Sequence, residues 1–218
     1  MITRRRTICS ILSALCIASC SLNQSSSTLQ RLVRVKLLAD ASFRMRNARW
    51  ADEARDLLEA ASDYYEREFN IRLISQSVSA WPEHDRIRST PALLTRLQKE
   101  FPPQAKRDEY DLIVAFTAEG VSRYLTEGRP RVDRLGNCSQ GLSSYAIVPI
   151  DKIFHYGGLN ADLDIDVIAL IHELAHMFGA EHVDDVNSLM NEDFGYRTEI
   201  DAKNRALIQK NKFCPFAK

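Results

Sequence analysis

Apolar side chains recur with two different periods along the first half of the chain. Residues 32–38 alternate apolar and basic side chains, which predicts a β-strand with one buried face. Within Trp50–Phe69 the apolar side chains lie three or four positions apart, as on an amphipathic helix, and Asn70 is a suitable residue to end it. Residues 71–79 predict a second strand, so the chain begins with the order strand, helix, strand.

The second half of the chain predicts the remaining elements of one domain. Residues 91–101 are expected to form a shorter helix, and the continuous apolar run at residues 112–116 is typical of a buried central strand. Residues 123–141 are polar and irregular, whereas residues 143–150 predict another strand. A closing helix is expected over residues 201–211. This order predicts an α+β domain in which helices lie behind a mixed sheet.

The N-terminus has the features of a secretion signal. Three arginines at positions 4–6 precede an apolar run over residues 8–18, which is too short to span a membrane. Residues 17–20 read Ile-Ala-Ser-Cys and resemble a bacterial lipobox, in which Cys20 would carry the lipid. A plain secretory signal with an incidental cysteine is the alternative. Since Ser21 rather than an aspartate follows Cys20, the resemblance implies the outer membrane of the bacterial cell envelope.

These features divide the chain into three parts. Residues 1–19 are the predicted signal peptide, residues 20–28 are the lipidated cysteine with a flexible tether, and residues 29–218 are a single domain. The 29 basic and 29 acidic side chains balance, and no basic stripe suggests nucleic acid as a partner. We therefore expect a monomer that contacts the membrane only through its N-terminal lipid anchor.

The predicted signal cleavage also determines which cysteines remain in the mature chain. Cleavage before Cys20 would remove Cys9 and Cys16, which leaves Cys138 and Cys214 in an oxidising compartment. We expect these two to form a disulfide that joins the middle of the chain to its C-terminal tail. Two free thiols are the alternative, because sequence alone does not show their geometry.

A cluster of histidines carries the candidate chemistry. Residues 172–182 read H-E-x-x-H-x-x-G-x-x-H and hold three of the five histidines in the chain. On a helix, His172 and His176 stand one turn apart on the same face, and Gly179 could end the helix so that His182 returns to the same point. Three protein ligands leave one zinc coordination position open, which is typical of a single catalytic Zn²⁺ ion. Histidines that bind nothing are the alternative.

Glu173 follows the first of these histidines and is the candidate general base. On a helix it projects about 100° away from His172, so it need not be a ligand itself. A carboxylate placed beside the metal could accept a proton from the attacking water and later pass it to the leaving amine. Asp184 or Asp185 could orient a ligand histidine, or could be solvated loop carboxylates.

The extended motif resembles that of the metzincin clan of zinc endopeptidases. Met190 lies eight residues after His182, a gap similar to that of matrixins, and by this resemblance is the Met-turn residue. The chain departs from the matrixin pattern at Val183 and Glu192, where a serine and a proline are usual. The resemblance implies a metzincin-like mixed, twisted sheet of about four or five strands, with one antiparallel edge strand and three main helices. Residues 143–150 would be that edge strand and would pair with an extended peptide.

The expected function is therefore a lipid-anchored zinc endopeptidase that acts on proteins or peptides. A metal-binding lipoprotein module without activity is an alternative, although such a module has no need of Glu173. An amidase that acts on peptidoglycan is a further alternative with the same metal chemistry.

Overall fold

The computed structural model describes residues 29–46, 48–82, 90–102, 109–118, 131–150, 165–192 and 197–217. The elements within these ranges are, in chain order, β1 Arg31–Ala39, α1 Ala41–Arg46, α2 Trp50–Phe69, β2 Ile71–Ala80, α3 Thr90–Glu100, β3 Leu112–Thr117, β4 Tyr145–Pro149, α4 Ile165–Met177 and α5 Ala202–Asn211. The predicted α2 is confirmed with its bounds, and Asn70 ends it in the left-handed conformation at φ 55°. The short helix α1 was not predicted; Asp40 caps it by accepting the Phe43 N–H at 2.8 Å.

The described residues form a four-stranded sheet in the order β2-β1-β3-β4. Every adjacent pair is parallel, and β4 pairs with β3 in a register that places Tyr145 opposite Ile113. The predicted antiparallel direction for residues 143–150 is therefore wrong. The chain between Thr117 and Tyr145 is long enough for the crossover that a parallel pair requires. The antiparallel direction was implied only by the metzincin resemblance. The strand β4 is buried at all five positions and is a continuous apolar run, which is typical of a parallel strand.

An antiparallel segment does lie at this edge of the sheet, but it is a different one. Val132 forms an antiparallel bridge with Ala146. The Ile147 N–H donates to the Arg131 carbonyl at 2.9 Å, and the Asp133 N–H donates to the Tyr145 carbonyl at 3.3 Å. Residues 131–133, called the edge segment below, thus cover the outer side of β4. Residues 143–150 lie between this segment and β3, and cannot be the edge that receives a peptide.

Both faces of the sheet are covered, which explains the continuous apolar run in β3. Leu112, Val114 and Phe116 belong to a large core with α2 and α4, whereas Ile113 and Ala115 pack in a smaller cluster on the opposite face with α3. Helices α2 and α4 are joined by a buried hydrogen bond from the Tyr65 hydroxyl to the Ile171 carbonyl at 2.9 Å. The residues of α4 from Asp166 to Met177 are all buried, so this helix is fixed inside the core.

None of the described helices combines the length and the apolar character that a membrane span requires. The most apolar of them, α4, has 13 residues and is enclosed by the core of the domain. Cys20 and the rest of residues 1–28, to which the predicted lipid anchor belongs, lie outside the described residues.

The C-terminal tail is attached to the chain that precedes β4. Cys138 and Cys214 form a disulfide with a Cα–Cα distance of 4.9 Å, in agreement with the pairing predicted from the sequence. The Leu142 N–H donates to the Pro215 carbonyl at 2.8 Å, and the Ala217 N–H donates back to the Leu142 carbonyl at 2.8 Å. This tail therefore holds the loop that leads from the edge segment into β4.

Removal of the disulfide should destabilise the domain strongly. The two cysteines are 76 residues apart, and for a loop of that length the chain-entropy relation gives a loss of about 4.5 kcal/mol. We expect the double variant Cys138→Ser, Cys214→Ser to unfold at a lower urea concentration than the wild type. Reductant should bring the wild type to the same midpoint and leave the variant unchanged. Equal midpoints for the oxidised wild type and the variant would contradict the prediction.

Candidate metal centre

The end of α4 determines where the three histidines lie. His172 and His176 are one helical turn apart, and α4 ends at Met177. Gly179 then adopts φ 98°, and its N–H donates to the His176 carbonyl at 2.9 Å. A Cβ at Gly179 would also clash with the Gly136 carbonyl oxygen. Glycine is therefore required here for both backbone conformation and space, and the sharp turn lets His182 return to the helix.

The structure brings the three predicted histidines together. Their Nε2 atoms are separated by 3.1 Å between His172 and His176, 3.1 Å between His172 and His182, and 3.0 Å between His176 and His182. A tetrahedral zinc ion with Zn–N bonds of about 2.1 Å would separate its ligand nitrogens by about 3.4 Å. The triangle is slightly tighter than this value, so a small rotation of each ring would suffice to hold the ion.

For His172 and His176, hydrogen bonds select the tautomer in which the Nε2 lone pair faces the centre. Nδ1 of His172 donates to the Leu189 carbonyl at 2.8 Å, and Nδ1 of His176 donates to the Ala180 carbonyl at 2.7 Å. A carbonyl can only accept, so Nδ1 carries the proton and Nε2 is left unprotonated. Burial lowers the pKa of His172 well below its ordinary value and that of His176 to about 3. Neutral imidazoles whose lone pairs converge repel one another unless a cation lies between them, and this donor set suits zinc.

The third histidine has a carboxylate neighbour that was not predicted from the sequence. Nδ1 of His182 lies 3.4 Å from Oε1 of Glu192. Asp184 and Asp185 are both exposed, and Asp185 accepts hydrogen bonds from the backbone and side chain of Asn187. Both aspartates thus match the alternative interpretation as solvated loop carboxylates, and Glu192 is the carboxylate that lies beside a ligand histidine. The sequence held one signal for it, since Glu192 stands two positions after Met190, where matrixins usually have proline.

The turn that carries Met190 lies against the metal centre. Its closing hydrogen bond runs from the Asn191 N–H to the Ser188 carbonyl at 3.1 Å, and Leu189 and Met190 are fully buried. The Leu189 carbonyl holds His172, and the Met190 carbonyl accepts the Val183 N–H at 3.1 Å, one residue beyond His182. This turn therefore connects the first and third histidines through its backbone carbonyls.

Asp201 holds the same turn from the side of α5. It is the N-cap of α5 and accepts the Asn204 N–H at 3.0 Å, while its other oxygen accepts the Ser188 hydroxyl at 2.9 Å. Burial alone would raise the pKa of Asp201, but the hydrogen bonds from Asn204 and Ser188 outweigh it and place the pKa below its ordinary value. The ionised form of Asp201 is thus favoured by folding.

Asp201→Ala should lower the free energy of unfolding by about 1 kcal/mol at pH 7, because the helix loses its cap. A carboxylate whose pKa is lower in the folded state stabilises the fold at pH values above its unfolded-state pKa of about 3.9. This contribution to the free energy of unfolding disappears as the pH falls through the folded-state pKa. The difference in unfolding free energy between wild type and variant, measured by urea unfolding, should therefore shrink as the pH is lowered below about 4. Gln209→Ala, which changes an exposed and uncharged side chain of α5, is the control. A difference that stays constant with pH would argue against the ionised cap.

Glu173 is buried beside His172, and its carboxylate is held from outside α4. Its side chain is 3% exposed, and its Oε2 accepts the Arg131 N–H at 2.9 Å. Nη1 of Arg131 lies 3.6 Å from Oε1 of the same carboxylate. Burial raises the pKa of Glu173 to about 7, although the positive charge and the backbone N–H of Arg131 act in the opposite direction. Arg131 was not predicted, because it stands in a stretch that shows no periodic pattern.

Comparison with known proteins agrees with this centre. The chain matches the Reprolysin_5 family, described as metallo-peptidase family M12, over residues 29–217. The chain belongs to metallopeptidase family M12. No curated protein matches it in sequence. Among solved structures, the archaemetzincin from Methanopyrus kandleri matches with a TM-score of 0.51 and 20% identity, covering 82% of this chain and 94% of that one.

Membership of family M12 confirms the metzincin resemblance and the zinc cofactor expected from the sequence. The archaemetzincin likeness concerns the fold, which is shared despite the low identity. Among the residues that the structure describes, His172, His176 and His182 form a group that could hold this ion, since their ligand atoms lie within 4.8 Å of one another. The protein is thus a zinc metallopeptidase.

Proposed function

We propose that the protein is an endopeptidase in which Glu173 is the general base. The observation that carries this proposal is a buried carboxylate on the same helix as two of three converging imidazoles, one position after the first. Zinc held by these histidines would supply Lewis acidity toward the scissile carbonyl and the attacking water. Glu173 would accept a proton from that water as oxygen attacks the carbonyl carbon, and would deliver it to the amine nitrogen as the C–N bond breaks.

The edge segment offers a place for an extended peptide. In an antiparallel pair the backbone groups of alternate residues point to opposite sides, so those of Val132 point away from β4 while Arg131 and Asp133 bond to it. A substrate strand could pair with Val132 by β-augmentation. Glu173 contacts the first residue of the same segment, so a peptide held there would lie near the base.

The experiment that tests this proposal is cleavage of defined substrates by the purified protein. Mass spectrometry of a mixed protein library should reveal new internal cleavage sites, and the activity should be abolished by a zinc chelator. Cleavage restricted to terminal residues would contradict the endopeptidase assignment. Amide cleavage in purified peptidoglycan, with intact proteins left uncut, would replace it with a cell-wall amidase. An absence of hydrolysis on both substrates by zinc-loaded protein would favour a binding module.

We also propose that Cys20 carries a lipid that anchors the domain at the bacterial cell envelope, with the outer membrane as the expected site. The support comes from the arginines, the short apolar run and the Ile-Ala-Ser-Cys sequence at residues 17–20. Cys20→Ala should move the protein from the membrane fraction to the soluble fraction of the envelope. Equal membrane association of wild type and variant after a salt wash would count against lipidation.

A further inference from the structure

One side chain outside the zinc motif contacts the candidate base. Arg131 donates its backbone N–H to Oε2 of Glu173 at 2.9 Å, and its guanidinium Nη1 lies 3.6 Å from Oε1. The first contact is a hydrogen bond, and the second is an ion pair. The side chains of Arg131 and Glu173 are 11% and 3% exposed, so the pair is largely removed from water. A single residue therefore engages both oxygens of the carboxylate.

The position of Arg131 is itself fixed by the sheet. Its carbonyl accepts the Ile147 N–H at 2.9 Å, and the next residue, Val132, forms the bridge with Ala146 in β4. Glu173 is carried by α4 on the core side of the same sheet. The carboxylate is therefore placed by two independent elements, with α4 supplying the side chain and the edge segment holding its end.

A buried carboxylate needs such a partner for two physical reasons. An ionised carboxylate that is removed from water is strongly disfavoured unless a nearby opposite charge compensates it. The last torsion of a glutamate is also broad, so its oxygens are poorly oriented unless donors hold them. The backbone N–H meets one oxygen whatever side chain stands at position 131. The guanidinium adds the charge and the second contact, and these depend on arginine.

We propose that Arg131 is a positioning residue that orients the Glu173 carboxylate for proton transfer during hydrolysis. This inference rests on the proposed function of Glu173 as the base. The edge segment would then have two roles, because it would pair with the peptide and would also hold the carboxylate of the base. Small displacements of a reacting group are costly in rate, so loss of the guanidinium should affect turnover rather than zinc or substrate binding.

The test compares Arg131→Gln and Arg131→Lys with the matched control Arg96→Gln. Arg96 also forms a partly buried ion pair with a glutamate, Glu100, but it lies on α3 at the opposite face of the sheet. We expect Arg131→Gln to lower kcat by about 10-fold or more, with KM changed less than about 3-fold and zinc content unchanged. Arg131→Lys should recover part of kcat because it keeps the positive charge. Arg96→Gln should match the wild type in all three measurements.

Two outcomes would overturn the inference while the proposed function stood. One is an Arg131→Gln protein whose kcat is within twofold of a wild type that cleaves peptides. The other is a defect confined to KM, or one equally large in Gln and Lys. If Arg131→Gln does not fold, Arg131→Met, which keeps the apolar stem, replaces it under the same criteria. A wild type that cleaves no peptide would instead remove the proposed function, which separates the two failures.

Discussion

Glu173→Gln is expected to bind zinc as the wild type does and to lose about 10²–10⁴-fold in the rate of peptide hydrolysis. Glutamine has nearly the same shape, and its amide oxygen can still accept the Arg131 N–H that now bonds Oε2. It cannot take up a proton at neutral pH, so only the base is removed. The zinc content, by elemental analysis, and kcat should be measured on the same preparation of each protein.

The control for this variant lies in the same motif. Glu181 is exposed, one residue before His182, and its carboxylate pairs with Lys203. Glu181→Gln also replaces a carboxylate by an amide next to one of the three histidines, and this variant should retain full activity. A Glu173→Gln protein that still cleaves at the wild-type rate would remove Glu173 from the reaction. Loss of zinc from that variant would show that the carboxylate acts on the metal rather than as a base.

His176→Ala is expected to abolish both activity and the effect of zinc on stability. His176 is fully buried, supplies one of the three converging nitrogens, and also holds the Ala180 carbonyl in the turn at Gly179. Zinc that binds only the folded protein stabilises it by about 4 kcal/mol when its free concentration is a thousand times Kd. The wild type should therefore melt at a higher temperature with zinc than after chelation.

Calorimetry of the wild type and His176→Ala, each with and without zinc, measures this effect. The variant should melt at the same temperature in both conditions, because two ligands hold the ion much more weakly than three. Glu181→Gln should keep the full shift and serves again as the control. A His176→Ala protein that zinc stabilises as much as the wild type would exclude His176 as a ligand.

The sequence predicted the elements whose pattern is local. The bounds of α2 follow from its apolar stripe and from Asn70, whose left-handed conformation ends the helix. The central strand β3 was recognisable because both of its faces are buried. The direction of β4 was taken from the metzincin resemblance, whereas its five buried residues form a continuous apolar run that is typical of a parallel strand. The edge segment has only three residues, which is too short for any period to appear.

In the candidate site, too, contacts within a local motif were predictable and contacts between distant segments were not. His172, His176 and His182 lie within one helix and the turn after it, so their spacing already implied their convergence. Arg131 reaches Glu173 across 42 positions of sequence, and that contact exists only once the sheet has formed. Glu192 is closer along the chain, but its contact with His182 depends on the turn at Met190. Contacts made by the fold, rather than by a motif, were the ones that the sequence did not reveal.

The most direct test of a zinc peptidase built on these three histidines is stepwise reactivation of the metal-free protein. Zinc would be added in small increments while hydrolysis of a peptide is followed. We expect no hydrolysis without metal, a rate that rises in proportion to the zinc added, and a plateau at one ion per chain. Hydrolysis by the metal-free protein, or a plateau that requires a second ion, would contradict it.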